Sequence, residues 1–372
     1  MGFDVIVIGA GTVGAAVAYG LARKKLSVLV LDGDDGDYRA ARANFGLVWL
    51  QGKGRDMPAY QELTRSSIDL WPDFNEELSW RVGADLHYER NGGLAFCLGE
   101  AEFENRRLAL QRLHNQRDGG EADWEMLDRG ELAKLLPKIE LGPDVSGASF
   151  GRRDGHANPL RLLAALHAGI LRLGGDLRSD SAVKTIATDS ACFTVETAAE
   201  RFCAPRLVIA AGLGSQALAR QVDLEIPLRP QRGQILVTER LVPFLPLPAS
   251  GLRQSREGTV MIGATQEETG FDVSTTSEAA ANLSRKAIRV VPALANATLV
   301  RQWAGLRIMT PDSYPIYAQS RSYPGAFVTL CHSGVTLAAL HATVIADAIA
   351  AGVLPASLEV FHQRRFDVPK AA

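Results

Sequence analysis

Three short segments of this 372-residue chain combine residue types at spacings that suit chemistry. The first is Gly9-Ala10-Gly11-Thr12-Val13-Gly14, set between an apolar run and an Ala-rich one. Glycine at 9 permits a tight turn, glycine at 11 lets a pyrophosphate approach the backbone, and glycine at 14 lets a helix pack close to the preceding strand. The phosphates then sit at the positive end of that helix. Asp32, followed by Gly33, closes the next apolar run at the distance where a carboxylate accepts hydrogen bonds from ribose hydroxyls, and its charge disfavours a 2′-phosphate. The motif by itself does not separate FAD from NAD. The second segment is Trp303-Ala304-Gly305-Leu306-Arg307. A guanidinium is planar, always charged and able to hold a carboxylate through two parallel hydrogen bonds, although a lone arginine more often serves in an ion pair. The third is Cys331-His332-Ser333-Gly334-Val335-Thr336, which offers an imidazole just before an apolar helix; Cys331 reads as a small buried hydrophobe.

The elements around these segments follow from the apolar pattern. Residues 4–8 (DVIVI) and 27–31 (SVLVL) are short β-branched runs typical of strands buried on both faces, and Val13, Val17 and Leu21 mark one face of the helix between them. Residues 44–53 read as a loop, 58–78 as a helix, 87–98 as a hairpin turning at Asn91-Gly92, and 101–116 as an amphipathic helix. Pro159 opens a helix that Gly174-Gly175 stops. Residues 183–186 and 193–197 alternate like a small hairpin, and 207–210 form another buried strand ahead of Gly212. From 227 to 303 alternating strands (234–238, 260–262) flank a helix at 277–291; then a strand at 326–330 and a helix at 337–351 return to the opening style. The expected fold is α/β (α+β overall). A discontinuous Rossmann-like domain comprises 1–85, 145–225 and 305–372, and an inserted antiparallel-sheet substrate domain comprises 86–144 and 226–304.

Composition narrows the function classes. With 40 Lys+Arg against 42 Asp+Glu, a formal charge of −2 gives no reason to expect nucleic acid as partner. At 47% apolar residues the chain can bury a substantial core, yet no apolar run reaches the roughly 20 residues that span a bilayer. A cytoplasmic location is expected, because the N-terminus lacks a secretion pattern. Cys97, Cys192, Cys203 and Cys331 are far apart with no CxxC pair, so free thiols are expected and a cysteine-built metal site is not. Walker A and HExxH motifs are absent from the sequence.

On these segments the chain resembles, nearly end to end, the D-amino acid oxidase-like flavoproteins, which include glycine oxidase, D-amino acid dehydrogenase and sarcosine oxidase. The resemblance implies FAD, with its ADP half on Gly9–Gly14 and Asp32. It places Ala43-Asn44-Phe45-Gly46-Leu47 beside the pyrophosphate and flavin ring, and Val183 at the adenine. The turn Ala210-Ala211-Gly212 would close over the nucleotide. It implies that Arg307 clamps the substrate carboxylate over the flavin. The segment His332 to Thr336 would bring backbone donors and a helix N-terminus to the flavin N1–C2=O edge; Cys331 stands there in place of a glycine. Residues 44–54 (NFGLVWLQGKG) and 331–338 (CHSGVTLA) most resemble the β subunits of opine oxidases, D-hydroxyproline dehydrogenases and hydrogen cyanide synthase. That implies hydride transfer from a CH–NH donor, an amino acid or opine, to flavin N5. It also implies an α subunit and a small iron–sulfur subunit as partners, an FMN at a subunit interface, and membrane association only through partners. A free-standing D-amino acid dehydrogenase or glycine oxidase-like enzyme, and a flavin-bearing electron-transfer or scaffold subunit, are the alternatives.

Overall fold

The computed structural model describes residues 2–33, 40–117, 119–189 and 192–367. Val5–Ile8 and Val28–Leu31 are buried at every position, and they form the middle of a six-stranded sheet. In order the sheet runs Ile316–Gln319, Ala326–Leu330, Arg206–Ile209, Val5–Ile8, Val28–Leu31, Asp176–Arg178. Every pair is parallel except Ile316–Gln319 with Ala326–Leu330. Side chains alternate between two cores, as a period of two requires. Val5 and Val7 face the helices Thr12–Arg23, Pro58–Val82 and Pro159–Arg172 and the segment 338–351; Ile6 and Ile8 face a three-stranded antiparallel layer. Helix Thr12–Arg23 comes within backbone distance of the segment His341–Ile345: a Cβ at Gly20 would stand 2.3 Å from the carbonyl oxygen of Ala342.

Beyond this lies a four-stranded antiparallel sheet of Leu252–Gln254, Thr259–Gly263, Arg229–Arg240 and Leu299–Met309. A three-stranded sheet of Gly93–Leu98, Val145–Gly151 and Trp124–Asp128 joins it through a bridge between Leu94 and Ala249. Both sheets and the helix Ser277–Val290 share a third apolar core. The Thr276 side chain caps that helix by accepting from the Ala279 N–H. The mixed architecture is the expected one, and no single helix among the described residues is long and apolar enough to cross a membrane.

Several local expectations are corrected. Residues 87–98 are not a hairpin: Gly93–Leu98 pairs with Val145–Gly151, while Glu89 bridges to His156. The Asn91-Gly92 signal reflects a bend in which Gly92 takes φ +101° and packs on Phe150, where a Cβ would collide at 2.2 Å. Val145–Gly151 pairs on both edges with strands of the 86–144 segment, and Leu299–Met309 runs unbroken across 304/305, so sheet pairing cuts across two expected boundaries. The small hairpin carries a third strand, Arg201–Ala204. The expectation of four free thiols fails there as well. Antiparallel pairing of Phe193 with Ala204 brings Cys192 and Cys203 to a Cα separation of 6.0 Å, and they form a disulfide. Two cysteines that look unrelated along the chain become neighbours once the strand folds back.

Candidate active site

A cavity of about 1970 Å³ runs from the carboxyl ends of the parallel strands to residues of the four-stranded sheet. At one end it is lined by Gly9, Gly11, Thr12 and Val13, with Ala210, Ala211 and Gly212 facing them. The three glycines have separate roles. Gly9 adopts φ +105°, and a Cβ there would stand 2.4 Å from the Ala210 oxygen. A Cβ on Gly14 would stand 2.0 Å from the Gly9 oxygen, so Gly14 serves helix packing and does not line the cavity. Gly11 has only the Ala41 Cβ within 4 Å, at 3.8 Å, and leaves room for a ligand against its backbone. Asp32, Gly33 and Val183 extend this end, and Asp32 accepts from the Gly33 N–H at 3.0 Å. His167 Nε2 lies 2.7 Å from the Ala10 carbonyl and buttresses the loop from behind.

The middle is walled by Ala43, Asn44, Phe45 and Leu47. Asn44 Oδ1 accepts from the Gly46 N–H at 2.8 Å; Gly46, at φ +89°, packs against Ala157 and Pro159 outside the cavity. Trp303 Nε1 donates to the Ala43 carbonyl at 3.5 Å, tying the four-stranded sheet to this loop. Thr336 fixes the loop from the other side. Its hydroxyl accepts from the Trp49 N–H and donates to the Leu47 carbonyl, both at 3.2 Å. Ser333, Gly334 and Val335 line the cavity with it.

At the far end sit Arg307 and His332. Arg307 is half-buried, and burial lowers its pKa. Its guanidinium donates to the Arg232 carbonyl at 3.2 Å and has no carboxylate partner among the described residues. The nearby Glu267 is bound to Arg232 at 3.0 Å. His332 faces the cavity as a neutral imidazole: burial, then the charges of Lys53 and Arg307, push its pKa down to about 3. Cys331 is a buried thiol, pushed up to about 12 by burial.

Sequence reasoning assigned no site role to two residues of this end, Lys53 and Tyr60. Lys53 Nζ donates to Ser333 Oγ at 2.7 Å, and the Tyr60 hydroxyl donates to the same oxygen at 2.9 Å. Burial pulls the Lys53 ammonium down to about 8. Its segment is anchored by buried Asp154, which accepts from the Leu50 N–H and from the Gln51 side chain at 2.7 Å; Gln51 in turn accepts from Arg106 and Ser149, each at 2.6 Å. Burial pushes Asp154 up to about 7 against those hydrogen bonds. Lys53 lies within the 44–54 motif, but a lone lysine between glycines reads as surface; only the buried Asp154 contact reveals the inward turn.

The glycine turn, the terminal acid and the single cavity that joins them to Arg307 and His332 fit FAD. Residues 4–348 match the family model described as FAD dependent oxidoreductase, and the chain belongs to that family. It is an FAD-dependent oxidoreductase. The B chain of opine oxidase from Rhizobium meliloti is 42% identical over 368 residues, covering 99% of each chain. Hydrogen cyanide synthase subunit HcnC of Pseudomonas aeruginosa is 29% identical over 100% of this chain and 98% of its own. Among solved structures, glycine oxidase from Geobacillus kaustophilus superposes with a TM-score of 0.88 at 25% identity, covering 98% of both chains.

Proposed function

We propose that the chain oxidises the CH–NH bond of an amino acid or opine, with the FAD domain formed by 1–85, 145–225 and 305–372 and the substrate domain by 86–144 and 226–304, less the strand exchanges noted above. The observation that carries this reading is Arg307: a guanidinium facing the cavity with one backbone acceptor and no carboxylate partner among the described residues. In this reading Gly9, Gly11, Thr12, Val13, Asp32 and Gly33 would hold the ADP half of FAD, with Val183 at the adenine and Ala210 to Gly212 over it. Residues of the 43–47 loop and Ser333 to Thr336 would hold the ring. FAD, when bound, would supply the electron acceptor for hydride transfer from the substrate α-carbon. Arg307 fixes the carboxylate and so the α-carbon, converting encounter into a positioned reaction. Neutral His332 accepts a hydrogen bond from the substrate amine and leaves the two cations unneutralised. Oxidation of a neutral amine by hydride transfer needs no strong base in the site.

The naming of these relatives as parts of larger enzymes supports a further part of the proposal. The chain is the catalytic β subunit of a heteromer with an α subunit and a small iron–sulfur subunit, cytoplasmic or held at a membrane through those partners. The reading is tested by Arg307→Met. Losing a charge-assisted pair in a partly dry site weakens substrate binding by about 1.5–3 kcal/mol while FAD content stays the same. Unchanged KM and turnover in a yellow Arg307→Met protein put the clamp elsewhere.

A further inference from the structure

The cavity that holds Arg307 has an apolar branch that the chemistry above leaves unused. On the strand Arg229–Arg240, Gly233 and Ile235 lie on the same face of the sheet as Arg307, and both line the cavity. A Cβ on Gly233 would stand 2.6 Å from Arg307 Nη2, and Ile235 is two residues further on, about 7 Å along the strand. Gly263 pairs with Ile235, and its N–H donates to the Gly251 carbonyl at 3.1 Å. Gly251 belongs to the turn 249–252, where the four-stranded and three-stranded sheets meet. This junction is a seam. Leu94 donates to the Pro248 carbonyl at 2.9 Å and accepts from the Ser250 N–H at 2.8 Å. Beyond it, residues 95–98 pair with Val145–Gly151 and residues 252–254 with Thr259–Gly263.

The cavity passes through this seam. Phe96 and Leu98 line it on one side, and Ser250 and Leu252 on the other. Leu252 and Ile262 are paired on the opposite face of the sheet from Arg307, so the branch leads from the clamp side of the sheet to its helix side. There Leu283, Ala287 and Val290, spaced four and three residues apart on one face of helix Ser277–Val290, continue the wall. Glycine at 251 and 263 keeps side chains out of the passage. Among the described residues one charged side chain lines the branch, Lys286, and it is exposed. Walls of this kind favour an apolar group and penalise a charged one, which finds no partner there.

We infer that the branch is a subsite for a long apolar substituent on the substrate nitrogen: with the amino acid carboxylate on Arg307, the N-linked chain runs past Ile235 and through the seam to helix Ser277–Val290. The inference rests on the CH–NH oxidation proposed above and names the group that sets its selectivity. From Gly233 the seam lies about 7 Å along the strand and two strand spacings, about 10 Å, across the sheet. A methyl group does not span that distance; an extended chain does.

The test uses FAD-loaded protein and the series N-methyl-, N-butyl- and N-octylalanine, with binding measured by equilibrium dialysis and turnover by dye reduction. In wild-type protein kcat/KM rises from the methyl to the octyl compound by at least about 10-fold, chiefly through KM, since each methylene taken from water is worth a factor of about four. Ala287→Phe and Leu283→Trp fill the branch from the helix, and each brings that ratio towards one. A loss of folding or of flavin would instead lower all three compounds alike; Leu283, at a half-buried position, serves if Ala287→Phe does not fold. Arg307→Met weakens the whole series and keeps the ratio. A wild-type ratio near one, or an unchanged ratio in the filled variants, overturns the inference, as does failure of the series to bind. If affinity rises with chain length in wild-type protein alone but no compound is oxidised, the subsite stands and the oxidation reading falls. If all three are oxidised with equal kcat/KM, the oxidation reading stands and the inference falls.

Discussion

The guanidinium of Arg307 lies against Gly233 on the neighbouring strand, where a Cβ would stand 2.6–2.7 Å from Nη2, Cζ and Nη1. A glycine two positions along the paired strand thus sets where the carboxylate clamp rests. Since the clashing atoms are the end of a flexible side chain, Gly233→Ala displaces the guanidinium with little cost to the fold. KM is expected to rise about 10-fold, equivalent to most of one charged hydrogen bond, with Tm and FAD content nearly unchanged. Steady-state kinetics beside a thermal melt check this; a large fall in Tm with KM preserved rejects it.

The glycines of the nucleotide turn separate in the same way. Gly14→Ala sets a methyl 2.0 Å from the Gly9 oxygen, a backbone atom that cannot yield, and Gly9→Ala meets the Ala210 oxygen at 2.4 Å in a left-handed conformation. Both variants are expected to lose stability. Gly11→Val instead points its side chain into the cavity and is expected to give a folded protein without yellow colour. Visible absorbance against melting temperature distinguishes the two outcomes, and a fully yellow Gly11→Val protein contradicts the assignment of the pyrophosphate to this turn.

How much is legible in the sequence follows from what each feature depends on. The buried strands Val5–Ile8 and Val28–Leu31 and the helix between them are local in sequence, so pattern and glycine spacing suffice to read them. Arg307 is legible because its motif is compact. Lys53 is not, because its meaning lies in Asp154, about a hundred positions away, which turns the 50–53 segment inward. The Cys192–Cys203 bond and the partner of Gly93–Leu98 are hidden for the same reason: strand pairing decides both, and periodicity does not reveal which strand is the partner.

Asp154 gives the protein a pH signature. Its carboxyl stands near 3.8 when solvated and is pushed up to about 7 by burial in the fold. Below about pH 4 both states hold the proton and stability is full. As the pH rises towards 7 the unfolded chain releases the proton first, so stability is lost through that window. Asp154→Asn removes this slope, although the amide gives up one accepted hydrogen bond. Urea unfolding at pH 5 and pH 7.5 is expected to show a larger decline in wild-type protein than in the variant; parallel declines would mean that Asp154 is ionised throughout.

The proposed heteromer predicts where electrons stall. An iron–sulfur centre is held by about four thiolates at defined spacing. Here Cys192 and Cys203 are bonded to each other, and burial raises the pKa of the two free thiols, Cys97 and Cys331, keeping both protonated. A centre serving this flavin must then be carried by another chain. Substrate is expected to bleach the FAD of the isolated chain within one turnover, with slow reoxidation by dye. The complex purified from the native host contains iron and turns over at least about 10-fold faster, a barrier difference of about 1.4 kcal/mol. Stopped-flow bleaching of the isolated chain, set against iron analysis and native mass of the host preparation, checks both halves. A homomeric, iron-free preparation with full turnover on its physiological acceptor would make the chain a free-standing enzyme.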